Sequence, residues 1–247
     1  MPEKPRLDQL LVARGLFESR EKAQRAIMAG EVTVGERVLD KAGTRVAEDV
    51  AISLKTAERY VGRGGLKMEA ALAQFGVDPT GATCLDIGAS TGGFTDCLLQ
   101  HGAARVWAID VGHSQLDWKI RSDPRVVVRE KLNARYLTRD DVPDSITLCV
   151  IDVSFISLTL ILPPALALLS DGAVVIPLIK PQFELRKEQI GKGGVVRDPT
   201  LHDAAVEKIR AFVATLPGVN WSGLIESPIL GGKGNKEYLA CLRVTSA

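Results

Sequence analysis

A chain of 247 residues, 46% hydrophobic and 25% charged, holds a standard α/β domain plus a short appendage, and this balance excludes global disorder. A formal charge of +1 excludes a strong electrostatic pull of the whole chain on nucleic acid. The charge is uneven, however: residues 1–67 carry 13 Lys/Arg against 10 Asp/Glu, and the other 180 carry 18 against 20, as expected of a phosphate-facing module on a near-neutral body.

Met1 to Leu10 is polar and lacks the apolar centre of a signal peptide. Leu7, Leu10, Leu11 and Val12 then recur at helical spacing until Gly15. Ser19 is placed to cap a second helix, running to about Ala29 with Lys22 on its first turn, and Gly30 closes it. Val32 and Val34 alternate as a strand, Gly35–Glu36 makes a turn, and Arg37 to Leu39 continues the sheet. Val46, Val50, Ile52 and Leu54 supply further strand. Two short helices and a small sheet in about 50 residues are marginal alone, so docking or RNA binding is expected to help them. Lys55 to Gly65 (KTAERYVGRGG) reads as a polar, Gly-rich linker.

From Leu66 to Phe75 the apolar spacing is helical again. Beyond it strands (83–87, 105–109, 125–129, 147–152, 173–179, 219–226, 237–244) alternate with helices (93–101, 114–120, 157–169, 200–216). That alternation predicts a mostly parallel sheet covered on both faces. The last strand follows the turn Gly231 to Asn235 and is expected to run antiparallel. The apolar run Ile146 to Leu169 contains Asp152 and the pair Pro163–Pro164, so it reads as a buried strand and helix rather than a membrane span. Cys84, Cys97, Cys149 and Cys241 form no C-x-x-C pair. They read as small buried hydrophobes in a reducing, cytoplasmic compartment. His101, His113 and His202 have no metal-ligand spacing, so no metal is expected.

Thr83 to Phe94 ends an apolar strand and opens a helix. Gly88, Gly92 and Gly93 form G-x-x-x-G-G, which matches neither the dinucleotide fingerprint G-x-G-x-x-G nor a phosphate loop. Asp86, two residues before the first glycine, would repel a pyrophosphate but suits a ligand with an ammonium group. S-adenosylmethionine has an amino-acid end and a sulfonium. Asp110 ends the next strand about 20 residues on, where an acid commonly binds ribose hydroxyls. The expected cofactor contacts are Asp86, Gly88, Ser90, Gly92, Gly93, Phe94, Asp110 and Val111.

Four more residues share that sheet edge. Asp152 ends the fourth strand, Lys180 follows the fifth, and Glu237 begins an antiparallel last strand, while Lys67 opens the helix before the first. Two amines and two carboxylates around a methyl donor suit deprotonation of a weakly acidic sugar hydroxyl. A lysine can be the base where desolvation and a second cation favour its neutral form. Lys180 is assigned as that base, positioned by Lys67, Asp152 and Glu237.

Lys67, the DIGASTGGFTD segment, Val111 to Leu116, Asp152 to Leu158, Lys180 to Glu184, Gly193 to Asp198 and Gly234 to Tyr238 together resemble the TlyA family. Its members are often labelled hemolysins and are similar to FtsJ-like rRNA methyltransferases. The resemblance implies a Rossmann-like, S-adenosylmethionine-dependent methyltransferase sheet with a Lys-Asp-Lys-Glu tetrad at Lys67, Asp152, Lys180 and Glu237. It also implies 2′-O-methylation of a ribose, a cytidine by the family's habit, in 16S or 23S rRNA or both. The N-terminal stretch RLDQLLVARGLFESREKAQRAIMAGEVTVGERV resembles the RNA-binding domain of ribosomal protein S4. That implies RNA contacts from Arg6, Arg14, Ser19, Arg20, Lys22 and Arg25. A departure is the turn Val34-Gly35-Glu36, where the module usually has Asn-Gly. The expected layout is thus a small α+β S4-like domain over 1–55, a linker over 56–64 and the methyltransferase domain over 65–247. Glu58 to Val61 resembles the family's interdomain motif and is expected to couple RNA engagement to cofactor binding. Glu184 to Asp198 is expected to act as a lid. A monomer that meets rRNA within ribosomal subunits and does not meet the membrane is the expected state. The alternatives are a membrane-active toxin, which calls for an amphipathic or spanning segment, and a non-catalytic assembly factor.

Overall fold

The computed structural model describes residues 4–55 and 58–245. The chain divides between Glu58 and Arg59 into two compact units. In the smaller unit, helices α1 (Leu7–Ala13) and α2 (Arg20–Met28) precede strands β1 (Val32–Val34), β2 (Arg37–Val38) and β3 (Ile52–Leu54). The strands form an antiparallel sheet in the order β2-β1-β3. Ser19 caps α2, its hydroxyl accepting from the Lys22 amide at 3.3 Å. Leu7, Leu10, Leu11, Ala23, Ala26, Ile27 and Val32 build the core where the two helices meet the sheet. Val46 and Val50, expected in a strand, lie in loop instead, and strand pairing begins only at Ile52.

The larger unit continues with α3 (Gly64–Phe75), β4 (Thr83–Ile87), α4 (Gly93–Gln100), β5 (Arg105–Ile109), α5 (Trp118–Arg121), β6 (Val126–Arg129) and β7 (Ile146–Ile151). It ends with α6 (Leu162–Leu166), β8 (Leu169–Ile179), α7 (Pro181–Glu184), α8 (Pro199–Val213), β9 (Val219–Glu226) and β10 (Tyr238–Val244). Seven strands lie in the order β6-β5-β4-β7-β8-β10-β9. The pairs from β6 through β8 are parallel, and β10 runs antiparallel to both neighbours.

Alternation along each strand sends apolar side chains to both faces, which is why these strands read as continuous hydrophobic runs. Cys84, Val106, Ala108, Leu148, Val150 and Leu239 pack with residues of α3 and α4. Leu85, Ile87, Trp107, Ile109, Cys149, Ile151 and Ala240 pack with residues of α6 and α8. All four cysteines are free and buried, and burial pushes the Cys84 and Cys97 thiols up to about 12.

Two helices are shorter than the sequence pattern suggests. Pro163 and Pro164 have no N–H to donate, so the stretch 157–169 is a 3-10 turn (Leu158–Leu160) and a restarted α6 with proline in its first turn. Asp117 caps α5, so the helix starts only at Trp118, with the Asp117 carboxylate accepting from the Lys119 amide at 2.8 Å. Of the linker expected over 56–64, residues 56 and 57 lie outside the described residues, as do residues 1–3 and 246–247 of the flanking domains. Arg59 to Arg63 are held by the larger unit. The Val61 amide donates to Asp96 Oδ2 at 2.9 Å, Gln100 Nε2 donates to the Arg59 carbonyl at 2.9 Å, and Tyr60 is buried.

Candidate active site

The sheet register gathers the site. Ile87 pairs with Ile109 and with Ile151, so the chain leaves β4, β5 and β7 at one level, at Gly88, Asp110 and Asp152. Tyr238 at the start of β10 pairs with Ile179 at the end of β8. Glu237 and Lys180, each one residue beyond that pair, therefore flank the same edge. Open parallel sheets bind ligands at this edge.

Two ion pairs stand there. Lys67 Nζ lies 2.5 Å from Glu237 Oε2, and Lys180 Nζ lies 2.5 Å from Asp152 Oδ1. Lys180 also donates to Ser154 Oγ at 3.0 Å. Lys67, Lys180 and Glu237 are buried, and Asp152 is half-buried. Gly231 passes so close to Glu237 that a Cβ there would collide with the carboxylate. The glycine turn is what lets the acid sit beneath the chain.

Three hollows meet at these residues. The largest, ≈ 420 Å³, is lined by Gly88, Ser90, Asp110, Val111, Asn133, Asp152 and apolar side chains including Ile87, Ile109, Leu132 and Ile161. The next, ≈ 230 Å³, is lined by Arg63, Lys67, Gly88, Ser90, Gly93, Phe94, Asp152 and the 229–232 segment. The third, ≈ 290 Å³, holds Lys180 and Glu237 with Ser154, Phe155, Gln182, Phe183, Ile190 and Asn235. At Gly88, which lines both of the first two hollows with φ 87°, a Cβ would collide with the Asp152 carbonyl, so the ends of β4 and β7 approach this closely only because the residue has no side chain.

Of the eight residues expected at the cofactor, Gly88, Ser90, Gly93, Phe94, Asp110 and Val111 line one or both of the first two hollows. Asp86 and Gly92 line neither. Asp86 is fully buried, its Oδ2 accepting from Thr95 Oγ1 at 2.6 Å and its Oδ1 without a partner among the described residues. Burial pushes its carboxyl up to about 7; the Thr95 hydrogen bond opposes this, and Asp152 and Asp110 add to it. Asp110 accepts from the Ser90 amide at 2.8 Å and the Gly112 amide at 2.7 Å, which fixes the carboxylate at the mouth of the largest hollow.

The site holds residues that sequence patterns did not single out. Phe155 is 90% exposed, adopts φ 64°, and its ring lies 5.0 Å from that of Phe183. A non-glycine residue in the left-handed region, presenting a bare ring to solvent, is unusual. Glu184 accepts from Ser157 Oγ at 2.5 Å, the Leu158 amide at 2.8 Å and Lys208 Nζ at 2.9 Å. It ties the loop after β7 to α7. Asn235 accepts from the Val196 amide and donates to the Gly194 carbonyl, both at 2.9 Å. That joins the 191–198 stretch to the turn before Glu237. Phe155 and Asn235 lie in irregular loops and Glu184 in the four-residue α7, where no period marks them; the DVSF, KPQFE and GNKEY segments were the signal.

In the smaller unit Asp8 is fully buried and organises two of the six candidate RNA residues. Arg6 Nε lies 3.1 Å from Asp8 Oδ1, while Arg20 Nε and Gln24 Nε2 lie 2.8 Å from Oδ2. Burial alone would raise the Asp8 carboxyl, but hydrogen bonds from Arg6, Gln24 and Arg20 and the Arg20 charge hold it well below the usual carboxylate range. Arg14 donates to the carbonyls of Val50 and Glu48, Lys22 pairs with Glu18, and the Ser19 hydroxyl is the α2 cap. Arg25 is exposed.

No helix among the described residues is long and apolar enough to cross a membrane. The family model for FtsJ-like methyltransferases matches residues 60–244, and that for S4 domains matches residues 5–52. A Bacillus subtilis protein named as a candidate rRNA methyltransferase, YqxC, is 51% identical over 96% of this chain and 85% of its own. The 16S/23S rRNA (cytidine-2′-O)-methyltransferase TlyA of Mycobacterium tuberculosis is 44% identical over 98% of this chain and 91% of its own. A solved structure from Streptococcus thermophilus, described as a candidate hemolysin, superposes with TM-score 0.75 at 46% identity, covering 100% of this chain and 90% of that one. The likeness to these relatives runs along nearly the whole length, with an S4 domain ahead of the methyltransferase domain, and the chain belongs to the FtsJ-like methyltransferase family.

Proposed function

We propose that this chain methylates the 2′-oxygen of a cytidine ribose in ribosomal RNA, with S-adenosylmethionine as donor. The observation that carries the reading is the convergence of the Lys67–Glu237 and Lys180–Asp152 pairs beside the glycine turn. The two hollows around Gly88 fit such a donor. Asp110 stands where ribose hydroxyls would bind, and apolar side chains offer a face to a purine. When bound, the donor supplies a methyl group on a positively charged sulfur.

Everything else falls to side chains of the protein. Lys180, in the third hollow, first releases its own ammonium proton to solvent and, as the neutral amine fixed by Asp152 and Ser154, accepts the proton of the 2′-hydroxyl. Lys67, held by Glu237, keeps a second cation near the developing alkoxide. Closure of the hollow excludes water, and alignment of oxygen with methyl carbon accounts for most of the acceleration. The Phe155 and Phe183 rings offer an apolar surface against which the target base can rest. The S4 unit brings RNA through Arg6, Arg14, Ser19, Arg20, Lys22 and Arg25, of which Arg25 is exposed one turn after Glu21. The substrate is a ribosomal subunit, met in the cytoplasm by a monomer.

The experiment is transfer of radiolabelled methyl from S-adenosylmethionine to each isolated ribosomal subunit, followed by nucleoside analysis. Label on a 2′-O-methylcytidine supports the reading; label on a base, or none on either subunit, overturns it.

A further inference from the structure

Among the described side chains that line the third hollow, one has a buried polar atom with no structural task, while Lys233 is exposed to solvent. Lys180 and Ser154 hold each other, Glu237 holds Lys67, and Asn235 holds two loop backbones. Gln182, on α7 two residues after Lys180, is different. It lines the hollow, yet its Oε1 is buried and accepts no hydrogen bond among the described residues. Buried side-chain oxygens are nearly always paired in folded proteins, and an exception needs a reason. The terminal torsion of glutamine is soft, so the amide can turn toward a guest at little cost.

Ribose geometry says what that guest presents. The base and the 2′-oxygen stand on adjacent ribose carbons, so a nucleotide whose 2′-hydroxyl reaches Lys180 places its base within a few ångströms. The nearby walls, Phe155, Phe183 and Ile190, are apolar and leave the polar edge of a base without partners. We propose that Gln182 is a specificity-determining residue that hydrogen-bonds the Watson–Crick edge of the target base, its Oε1 accepting from the exocyclic amine of cytosine. This rests on the ribose-methylation reading and adds to it a contact to the base. Uracil offers a carbonyl where cytosine offers the amine, so against Oε1 it sets acceptor to acceptor, and pairing it requires the amide to turn over and present Nε2.

The test compares the wild type, Gln182→Leu and Gln182→Glu on subunits carrying the mapped target cytidine and on subunits with that position changed to uridine. Cofactor affinity is measured alongside. Leucine removes the acceptor and is expected to lower kcat/KM on cytidine roughly 10- to 100-fold, with a much smaller loss on uridine and cofactor affinity within about twofold. Glutamate keeps an acceptor and is expected to retain cytidine transfer within about fivefold while widening the preference over uridine. Equal losses on both substrates for both variants, or a leucine variant within about twofold of wild type on cytidine, would overturn the assignment. Absence of methyl transfer by the wild type would instead overturn the ribose-methylation reading, and the base contact with it.

Discussion

Asp86 shows how one buried side chain sets a property of the whole protein. Its carboxyl is raised to about 7, mainly by burial, whereas in the unfolded chain it titrates near the ordinary aspartate value. Between about pH 4 and pH 7 the folded state therefore holds a proton that the unfolded chain has lost. The stability it contributes is fully present below about pH 4 and is lost as pH rises through 7, by up to about 4 kcal/mol. Asp86→Asn cannot ionise, so it should gain stability relative to the wild type as pH rises from 4 to 8. Denaturant midpoints across that range check this, and parallel curves would contradict it. Asp8 has the opposite sign. Its folded carboxyl is depressed by its arginine and glutamine partners against the pull of burial. Its contribution is present above the ordinary aspartate range and is lost in strong acid, so Asp8→Asn should remove that acid-limb dependence from the smaller unit.

At the scale of elements, the loop after β7 and the short helix α7 form one device. Glu184 receives the Ser157 hydroxyl, the Leu158 amide and Lys208, and so fixes the loop that carries Asp152, Ser154 and Phe155 against the helix that follows Lys180. Glu184→Ala should leave a buried amide unpaired and cost about 2 kcal/mol, and it should lower single-turnover transfer roughly 10- to 100-fold by loosening the loop. Thermal unfolding and a rapid-quench transfer assay read the two effects. A variant that loses stability but transfers at the wild-type rate would separate Glu184 from the chemistry. The strand ends were legible in the sequence, because a buried parallel strand is an apolar run and its first charged residue marks the edge. Asp110, Asp152 and Lys180 each sit at such a break, and Glu237 follows from the glycine turn that reverses the chain. Glu184 and Asn235 were not legible, since their partners come from loops whose contacts have no period, and Gln182 was not, since spacing does not show an amide oxygen buried without a partner. Pro163 and Pro164 were visible but their effect was not: they divide a helix that the apolar spacing draws as continuous. The depth of Asp86 was also hidden, because spacing gives a residue's place along a strand and not how far the next loop covers it.

Across the whole molecule, charge does not follow the domain matches. Residues 5–52, where the S4 domain matches, carry eight Lys/Arg against eight Asp/Glu, and the basic excess of the N-terminal part falls at Lys55, Arg59, Arg63 and Lys67; the two lysine–carboxylate pairs lie in the methyltransferase unit. Changing Lys22 and Arg25 together to alanine should weaken binding of a ribosomal subunit roughly tenfold near physiological salt. The slope of log affinity against log salt should become shallower by about 0.7–0.9 for each phosphate that is no longer neutralised. Affinity for S-adenosylmethionine should stay unchanged. An unchanged salt slope would remove these two side chains from the RNA interface.

That Lys180 takes the proton of a ribose hydroxyl, and has no part in holding the donor, is tested most directly by Lys180→Ala in two measurements on one preparation. One is S-adenosylmethionine binding by calorimetry, and the other is methyl transfer to the subunit that the wild type modifies. Cofactor affinity is expected within about threefold of wild type and transfer reduced about a thousandfold, the scale that follows when a general base is removed. Transfer within about tenfold of wild type, or label on a base rather than on a ribose oxygen, would contradict this role.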